Sequence, residues 1–247
     1  MKVRNFIRKL ILKEKSSSDE YIRFLRKKGV TIGEDVTIYS PTNTLIDLQY
    51  PWMIKIGNHV RITHGVIILT HDYAWSVLKR YSDKNIREGK ILGASGHVII
   101  GNNVFIGMNS IITRNVTIGD NVIIGVGSIV TKDCESVFVY AGNPAKKIMT
   151  VQEYYLKREN AQLDEASHLA RMYYEKYGKY PSKNIFHEYF MLFESDETVI
   201  NEKDFADKMK LCGNYEFTNK RMSENNLKFN NYEEFLKNIF KEYNNRG

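Results

Sequence analysis

From Val98 to Asp133 the chain repeats every six residues without a slip, through VIIGNN, VFIGMN, SIITRN, VTIGDN, VIIGVG and SIVTKD. The third slot is always Ile or Val: Ile100, Ile106, Ile112, Ile118, Ile124 and Val130. A fixed short period is the mark of a solenoid. An apolar residue in one slot of each hexad, often followed by Gly, suits a short strand and a tight bend. Three such strands close a triangular coil of about 18 residues, with the Ile/Val column stacked into a dry interior.

The frame runs backwards from Val98. Ile54–His71 gives IKIGNH, VRITHG and VIILTH, and Val30–Pro41 gives VTIGED and VTIYSP. Val30 and Ile54 are separated by four whole hexads, so Thr42–Met53 keeps phase and reads as two degenerate rungs. Val66 and Val98 are not separated by a whole number of hexads, which breaks phase. With Leu92–His97 taken as one poor rung, the segment Asp72–Ile91 leaves the solenoid as a loop. Excursions of that length are functional or disordered. Tyr73, Trp75, Leu78 and Tyr81 make this one too aromatic for plain disorder.

The repeat ends near VYAGNPAKKI, residues 139–148, where Gly-Asn-Pro forces a turn. Beyond it, Thr150–Gly178 carries Tyr155, Leu163, Ala166, Ala170, Tyr173 and Tyr177 at helical spacing. Shorter helical patterns follow at Asn184–Glu194, Glu202–Leu211 and Tyr232–Tyr243. This tail holds 18 of the 30 aromatics, enough for a helical core of its own. The plan is mainly β: an N-terminal helical segment over 1–29, a parallel β-solenoid over 30–149 with its loop at 72–91, and a C-terminal α-helical domain over 150–247.

The net charge of +7 favours anionic partners, a phosphorylated co-substrate or an acidic glycan among them. No nucleic-acid motif accompanies it. The two cysteines, Cys134 and Cys212, form no framework, which fits a reducing cytoplasm. No run reaches the ~18 apolar residues of a membrane span. The segment Met1–Lys15 is basic, with Phe6, Ile7, Leu10 and Ile11 at helical spacing. It suits a packed helix, or peripheral contact with an anionic membrane surface.

His71 closes the last rung before the loop, in ILTHDYAW. A histidine at such a turn borders a groove, and an imidazole with an ordinary pKa near 6.5 can serve as a general base. A surface or capping role is the other reading. Neither Cys nor Ser stands in a nucleophile setting with a base beside it, which argues against a covalent intermediate on the chain.

The stretch IGNNVFIGMNSIITRNVTIGDNVIIGVGSIVTKD with the following AGNPAK resembles the hexapeptide-repeat acetyltransferases, the maltose, galactoside and serine O-acetyltransferase branch in particular. The likeness covers residues 30–149. The tail beginning VQEYYLKREN looks like that of capsular-polysaccharide acetyltransferases. The resemblance implies a left-handed parallel β-helix, a homotrimer and acetyl-CoA as co-substrate, with no metal. It implies O-acetyl transfer to a sugar or polysaccharide-precursor hydroxyl, with His71 as catalytic base. The family has Pro after this His where the present chain has Asp72. An Asn and a nearby Asp that help hold the acceptor correspond to Asn43 and Asp47, residue types that also favour turns. Trp75 in the loop is assigned to the acceptor, since aromatic rings stack on sugars. Positions matching the acetyl-CoA groove are Met108, Val126, Thr131, Lys132 and Lys146, the lysines facing phosphates.

Rival readings are N-acetylation of an amino sugar, xenobiotic acetylation, a non-catalytic scaffold and a γ-class carbonic anhydrase. His59 and His64 have the HxxxxH spacing of two zinc ligands, but Arg23 and Ser95 stand where a third would fall.

Overall fold

The computed structural model describes residues 10–195, 199, 202–213, 215–224 and 227–244. Most of the basic segment expected as a packed helix or a peripheral membrane contact, residues 1–9 of Met1–Lys15, lies outside them; Leu10 and Ile11 are exposed. Among the described residues no helix is long and apolar enough to cross a membrane. The chain divides into two compact units, Met1–Tyr154 and Tyr155–Gly247.

The first unit is the parallel solenoid, and its strands stack into three faces. Face 1 holds β1 (Thr31–Ile32), β4 (Ile54–Ile56), β9 (Val98–Ile100) and β12 (Val116–Ile118). Face 2 holds β2 (Thr37–Ile38), β5 (Val60–Ile62), β10 (Val104–Ile106), β13 (Ile123–Ile124) and β15 (Phe138–Ala141). Face 3 holds β3 (Leu45–Ile46), β6 (Ile67–Ile68), β11 (Ile111–Ile112) and β14 (Ile129–Val130). The third-slot residues line the interior: Ile38, Ile62, Ile68, Ile106, Ile112, Ile118 and Ile124 are all 0% exposed. Where the first slot is Ser the hydroxyl stays satisfied, Ser110 and Ser128 both donating to the Gly125 carbonyl at 2.9 and 2.7 Å.

Corners follow from residue type. At the edge between faces 1 and 2, Asp35, His59, Asn103 and Asn121 all take φ between 52° and 55°. Asn and Asp adopt that left-handed conformation more cheaply than most residues. Beside them a side-chain ladder climbs the edge: the amides of Glu34, Asn58, Asn102 and Asp120 donate in turn to Asn58, Asn102, Asp120 and Ser136. Such stacking leaves no room for a side chain at the slot before. A Cβ on Gly57 would lie 2.5 Å from the Gly101 carbonyl oxygen.

The regular coils pair at an offset of three hexads, as in Phe105 with Ile123. Two places depart from the expected rungs. Thr42–Met53 supplies one strand, β3, not two rungs. Ile46 follows Ile38 by a hexad and two more positions, and Ile56 follows Ile46 by a hexad and four more. Both corners are enlarged, the second with a turn at Pro51–Met53. The excursion is also longer than expected. Between the second and third coils Ile54 pairs with Val98, Val60 with Val104 and Ile67 with Ile111, the same wide offset on every face. It exceeds a regular coil by four hexads and two positions, and that length of chain leaves the solenoid. Leu92–His97 is not a rung: β8 (Ala94–Ser95) pairs antiparallel with β7 (His71–Asp72) and pinches the loop at its base.

Both ends of the stack are closed. α1 (Ser18–Lys28) is capped by the Ser17 hydroxyl and ended by Gly29 at φ 108°, and it buries Tyr21, Ile22 and Leu25 in the solenoid core. It also answers the free rim of the first coil. The Ser18 hydroxyl accepts from the Ile38 amide at 2.9 Å, and Arg26 donates to the carbonyls of Ile32 and Gly33 at 3.1 and 2.6 Å. At the other end β16 (Lys146–Thr150) folds back antiparallel on β15.

The second unit is helical. With α2 the short loop helix Trp75–Leu78, its helices are α3 (Val151–Tyr177, whose first turn belongs to the first unit), α4 (Lys203–Lys210), α5 (Tyr215–Ser223) and α6 (Tyr232–Asn244). Its core is aromatic, with Phe186, Phe205 and Phe235 fully buried and Phe193 against Phe235 at 4.8 Å. The helical spacing at Asn184–Glu194 resolves into two single turns, Lys183–Phe186 and Phe190–Leu192. A segment that short gains its order from burying Phe186, Phe190 and Phe193, not from helix propagation. α5 has no counterpart among the expected helices, its sequence YEFTNKRMS lacking a clean apolar stripe.

Ile112→Ala removes a fully buried third-slot side chain and is expected to cost about 2–5 kcal/mol. Lys55→Ala, on an outward slot of β4, is expected to stay within about 0.5 kcal/mol. Urea unfolding followed by circular dichroism distinguishes the two.

Candidate functional site

The edge between faces 3 and 1 carries the loop, and there the second coil ends on Thr70 and His71. The enlarged corner after β3 brings Asp47 beneath them from the first coil. Asp47 Oδ2 lies 2.6 Å from His71 Nδ1 and 2.9 Å from the Thr70 amide, and it also accepts from the Thr70 hydroxyl. Asp47 Oδ1 accepts from the Gln49 amide at 2.9 Å. Burial works to raise the pKa of this carboxyl. The Thr70 hydroxyl, the Gln49 amide, His71 and the Thr70 amide outweigh it and hold the pKa at about 2. An ionised carboxylate at that distance fixes the proton on Nδ1 and leaves the Nε2 lone pair outward. Both oxygens of Asp47 are engaged and the residue is only 8% exposed, so its visible partners are His71, Thr70 and Gln49.

Aromatic rings wall the imidazole. Tyr50 stands edge-on at 6.3 Å and Tyr73 at 6.1 Å; Trp75 packs on Tyr73 at 5.0 Å. Tyr50 comes from the same enlarged corner as Asp47. It has no signal in the hexad pattern, because that corner lies off the repeat. Asp72, where the family has Pro, accepts from Arg114 Nε at 2.8 Å and from the Ala74 amide at 3.1 Å. The Arg114 bond, with the Ala74 amide behind it, lowers the pKa of the Asp72 carboxyl. Asp72 thereby ties the loop base to the third coil.

The remaining expected residues fall on two different edges. Thr131 and Lys132 follow β14 on the His71 edge, Lys132 level with Arg114 by the register of Ile112 with Val130. Met108 and Val126 stack between faces 2 and 3, the Gly127 amide donating to the Met108 carbonyl at 2.7 Å. Asn43 sits on that second edge, its Oδ1 accepting from Thr42 and Ser40, and Ser40 Oγ lies 3.1 Å from His64 Nδ1. Lys146 follows a turn whose Gly142 and Ala145 bond the backbone of Ile129, above the same edge. So His71, Asp47, Trp75, Thr131 and Lys132 share one margin of face 3, and Asn43, Met108, Val126 and Lys146 share the other. Met108 and Val126 are 53% and 72% exposed, and among the described residues Lys132 and Lys146 hold no acidic partner. These positions are open to a phosphorylated ligand.

His59 is a corner residue whose Nδ1 lies 2.5 Å from Asp35 Oδ2, with Arg61 donating to the same oxygen at 2.8 Å. His59 and His64 lie on different edges. Among the described residues no group of three or more His, Cys, Asp or Glu side chains is placed to hold a metal ion. Cys134 is buried, which pushes its thiol up to about 12, so it offers no ready thiolate.

A family model for the bacterial transferase hexapeptide (six repeats) matches residues 97–132. Protein CapG of Staphylococcus aureus is 43% identical over 153 residues, which are 61% of this chain and 81% of that protein. Among solved structures, a maltose O-acetyltransferase from Clostridium difficile 630 is 27% identical over 60% of this chain and 83% of its own, with a TM-score of 0.39. Soybean serine acetyltransferase is 27% identical over 49% of this chain and 40% of its own, with a TM-score of 0.36. The six-repeat match lies on the coils themselves and the likeness to CapG spans most of that protein; the chain belongs to the bacterial hexapeptide-repeat transferases, a family of acyltransferases.

Proposed function

We propose that the protein transfers the acetyl group of acetyl-CoA to a hydroxyl of a sugar or polysaccharide precursor, with His71 as general base. The observation that carries this reading is the Asp47–His71 pair set at the foot of an aromatic loop. Acetyl-CoA supplies a thioester, an acyl group already activated for attack. His71 Nε2 takes the proton of the acceptor hydroxyl as its oxygen bonds to the acyl carbon, and returns a proton to the departing CoA sulfur. Asp47 keeps the imidazole in the tautomer this needs and steadies the imidazolium that forms. Tyr50, Tyr73 and Trp75 offer faces for a sugar ring.

The two margins of face 3 belong to one site only if two copies of the chain meet. We therefore read the active assembly as a homotrimer of left-handed coils. The His71 margin of one copy faces the Asn43–Met108–Val126 margin of the next, and Lys132 and Lys146 serve the phosphates of acetyl-CoA.

His71→Ala is expected to lower kcat by about 10²–10⁴-fold while calorimetric binding of acetyl-CoA stays near wild type. An unchanged kcat removes His71 from the chemistry. His59→Ala and His64→Ala serve as comparisons and should retain activity.

Asp47→Asn lets the amide face Nδ1 and favours the proton on Nε2, so a comparable loss of roughly 10²-fold or more is expected with little change in KM. The same carboxylate has a stability signature. Its pKa is lowered from 3.8 to about 2 in the fold, so its contribution is present above about pH 4 and is lost as pH falls from 4 towards 2. Thermal melts across that window should show a shallower acid limb for Asp47→Asn than for the wild type.

Light scattering is expected to give three times the chain mass of 28.8 kDa. Inactive His71→Ala and Asn43→Ala proteins, unfolded together and refolded as mixed oligomers, should recover part of the activity, because some interfaces then pair two intact margins. No recovery on mixing would place the whole site within one copy.

A further inference from the structure

The loop bears a second concavity, about 750 Å³ in volume, lined by Leu78, Tyr81, Lys84, Ile86, Arg87 and Lys90 among others. That is the size of a small-molecule site. Its lining carries three cations, Lys84, Arg87 and Lys90, against one carboxylate, Glu88. The segment from Lys79 to Lys90 carries Lys79, Arg80, Lys84, Arg87 and Lys90 against Asp83 and Glu88. Four arginines elsewhere are paired with acids: Arg26 with Glu34, Arg61 with Asp35, Arg114 with Asp72 and Arg158 with Glu165. Among the described residues Arg80, Lys84, Arg87 and Lys90 hold no acidic partner.

The two acidic residues offset part of this charge, Glu88 in the lining itself and Asp83 at the loop tip. Asp83 accepts from the Tyr81 hydroxyl at 2.7 Å and from the amides of Asn85 and Ile86 at 2.7 and 2.9 Å, building the turn at the loop tip. The two arms then close on each other at Gly89, where a Cβ would lie 2.1 Å from the Leu78 carbonyl oxygen. The cations thus stand on a built frame, with an apolar floor from Leu78, Tyr81 and Ile86. Like charges gathered at a concavity repel one another, and an anion bound there relieves the repulsion.

The concavity is tied to the catalytic pair from both arms of the loop. On one side Leu78 ends the short helix that starts at Trp75, whose ring packs on Tyr73 beside His71. On the other, Leu92 lies just before β8, which pairs with the strand holding His71. A ligand seated by Arg87 and Lys90 is therefore part of whatever the loop presents to His71.

We propose that this concavity binds a diphosphate, so that the acceptor is a sugar carried on a diphosphate and not a free sugar or a neutral glycan. The proposal rests on the acetyl-transfer reading above. The Arg87 guanidinium fork and the Lys84 and Lys90 ammonium groups match the several charges and spread oxygens of a diphosphate. A single carboxylate would need one or two such partners. A nucleotide and a lipid carrier offer the same diphosphate, and the test separates them.

CoA release is measured at saturating acetyl-CoA with a set of sugars, each presented as a nucleotide diphosphate, a short-chain polyprenyl diphosphate and a methyl glycoside, and with an acidic polysaccharide alongside. At least one diphosphate form is expected to exceed the methyl glycoside by roughly tenfold or more in kcat/KM, and the advantage should shrink as salt is raised. The double variant Arg87→Gln, Lys90→Gln should raise KM for that form about tenfold, leaving kcat and the KM for acetyl-CoA within about twofold. In parallel, inorganic pyrophosphate is titrated calorimetrically into protein already saturated with CoA; binding to the wild type and its loss in the double variant are expected. Equal use of the methyl glycoside, preference for the acidic polysaccharide, or a raised KM for acetyl-CoA instead would each overturn the proposal. If no acceptor releases CoA, the acetyl-transfer reading fails, and the pyrophosphate titration alone then decides whether the loop binds a diphosphate.

Discussion

Every element of the solenoid depends on the backbone pairing of one coil with the next. Among the described residues no strand exceeds five residues, and none would persist alone. Each is held because its amides and carbonyls meet those of the strand above and below, and because the coils keep register on all three faces at once. A slip on one face would force a slip on the other two and break the Ile/Val column. That coupling explains how the chain can expel a long loop between the second and third coils and resume with Ile68 beneath Ile112. The loop is pinched off at its base, and the core runs on past it.

The same constraint makes the Asp47–His71 pair on which the proposed chemistry rests. A residue on an edge finds its neighbours in the coils above and below, at separations set by the winding. His71 meets Asp47 from the coil below because that coil has enlarged corners. The smaller enlargement, before β3, shifts the strand; the larger one, after it, brings Asp47, Gln49 and Tyr50 outward to the loop edge. Both corner insertions lie in the coil that supports His71. The Asp47 carboxylate is held by donors on its own chain, so the fold alone orients the imidazole.

How much of this is readable from sequence follows from the same geometry. The third-slot residues, the hexad frame and the existence of a loop after His71 are visible because a period of six repeats in phase. The irregularity in the first coil is disguised: its two corner insertions add up to a full hexad, so Thr42–Met53 keeps phase while supplying a single strand. The antiparallel ladder at the loop base has no hexad signature, so spacing alone turns Leu92–His97 into a rung. Asp47 can be picked out, but its role depends on which edge it reaches, and that requires the enlarged corner. The division of the expected site between two edges is in principle legible. Met108 and Lys132 are four hexads apart, one coil and one further rung, which places them a face apart. In the helical unit the pattern locates α3, α4 and α6, whose apolar positions recur cleanly, and misses α5, where Thr, Asn and charged residues obscure the stripe.

The closed ends of the stack have a consequence of another kind. A parallel coil with flat ends is a template on which an identical coil can dock, and repetition of that step makes a fibre. Here the first rim meets Ser18 and Arg26 from a helix, and the last strand is covered by one running the opposite way. Among the described residues, neither end offers a free parallel edge to a second molecule. Growth along the solenoid axis is thereby blocked within the chain itself, while the exposed edge residues lie along the sides of the coils.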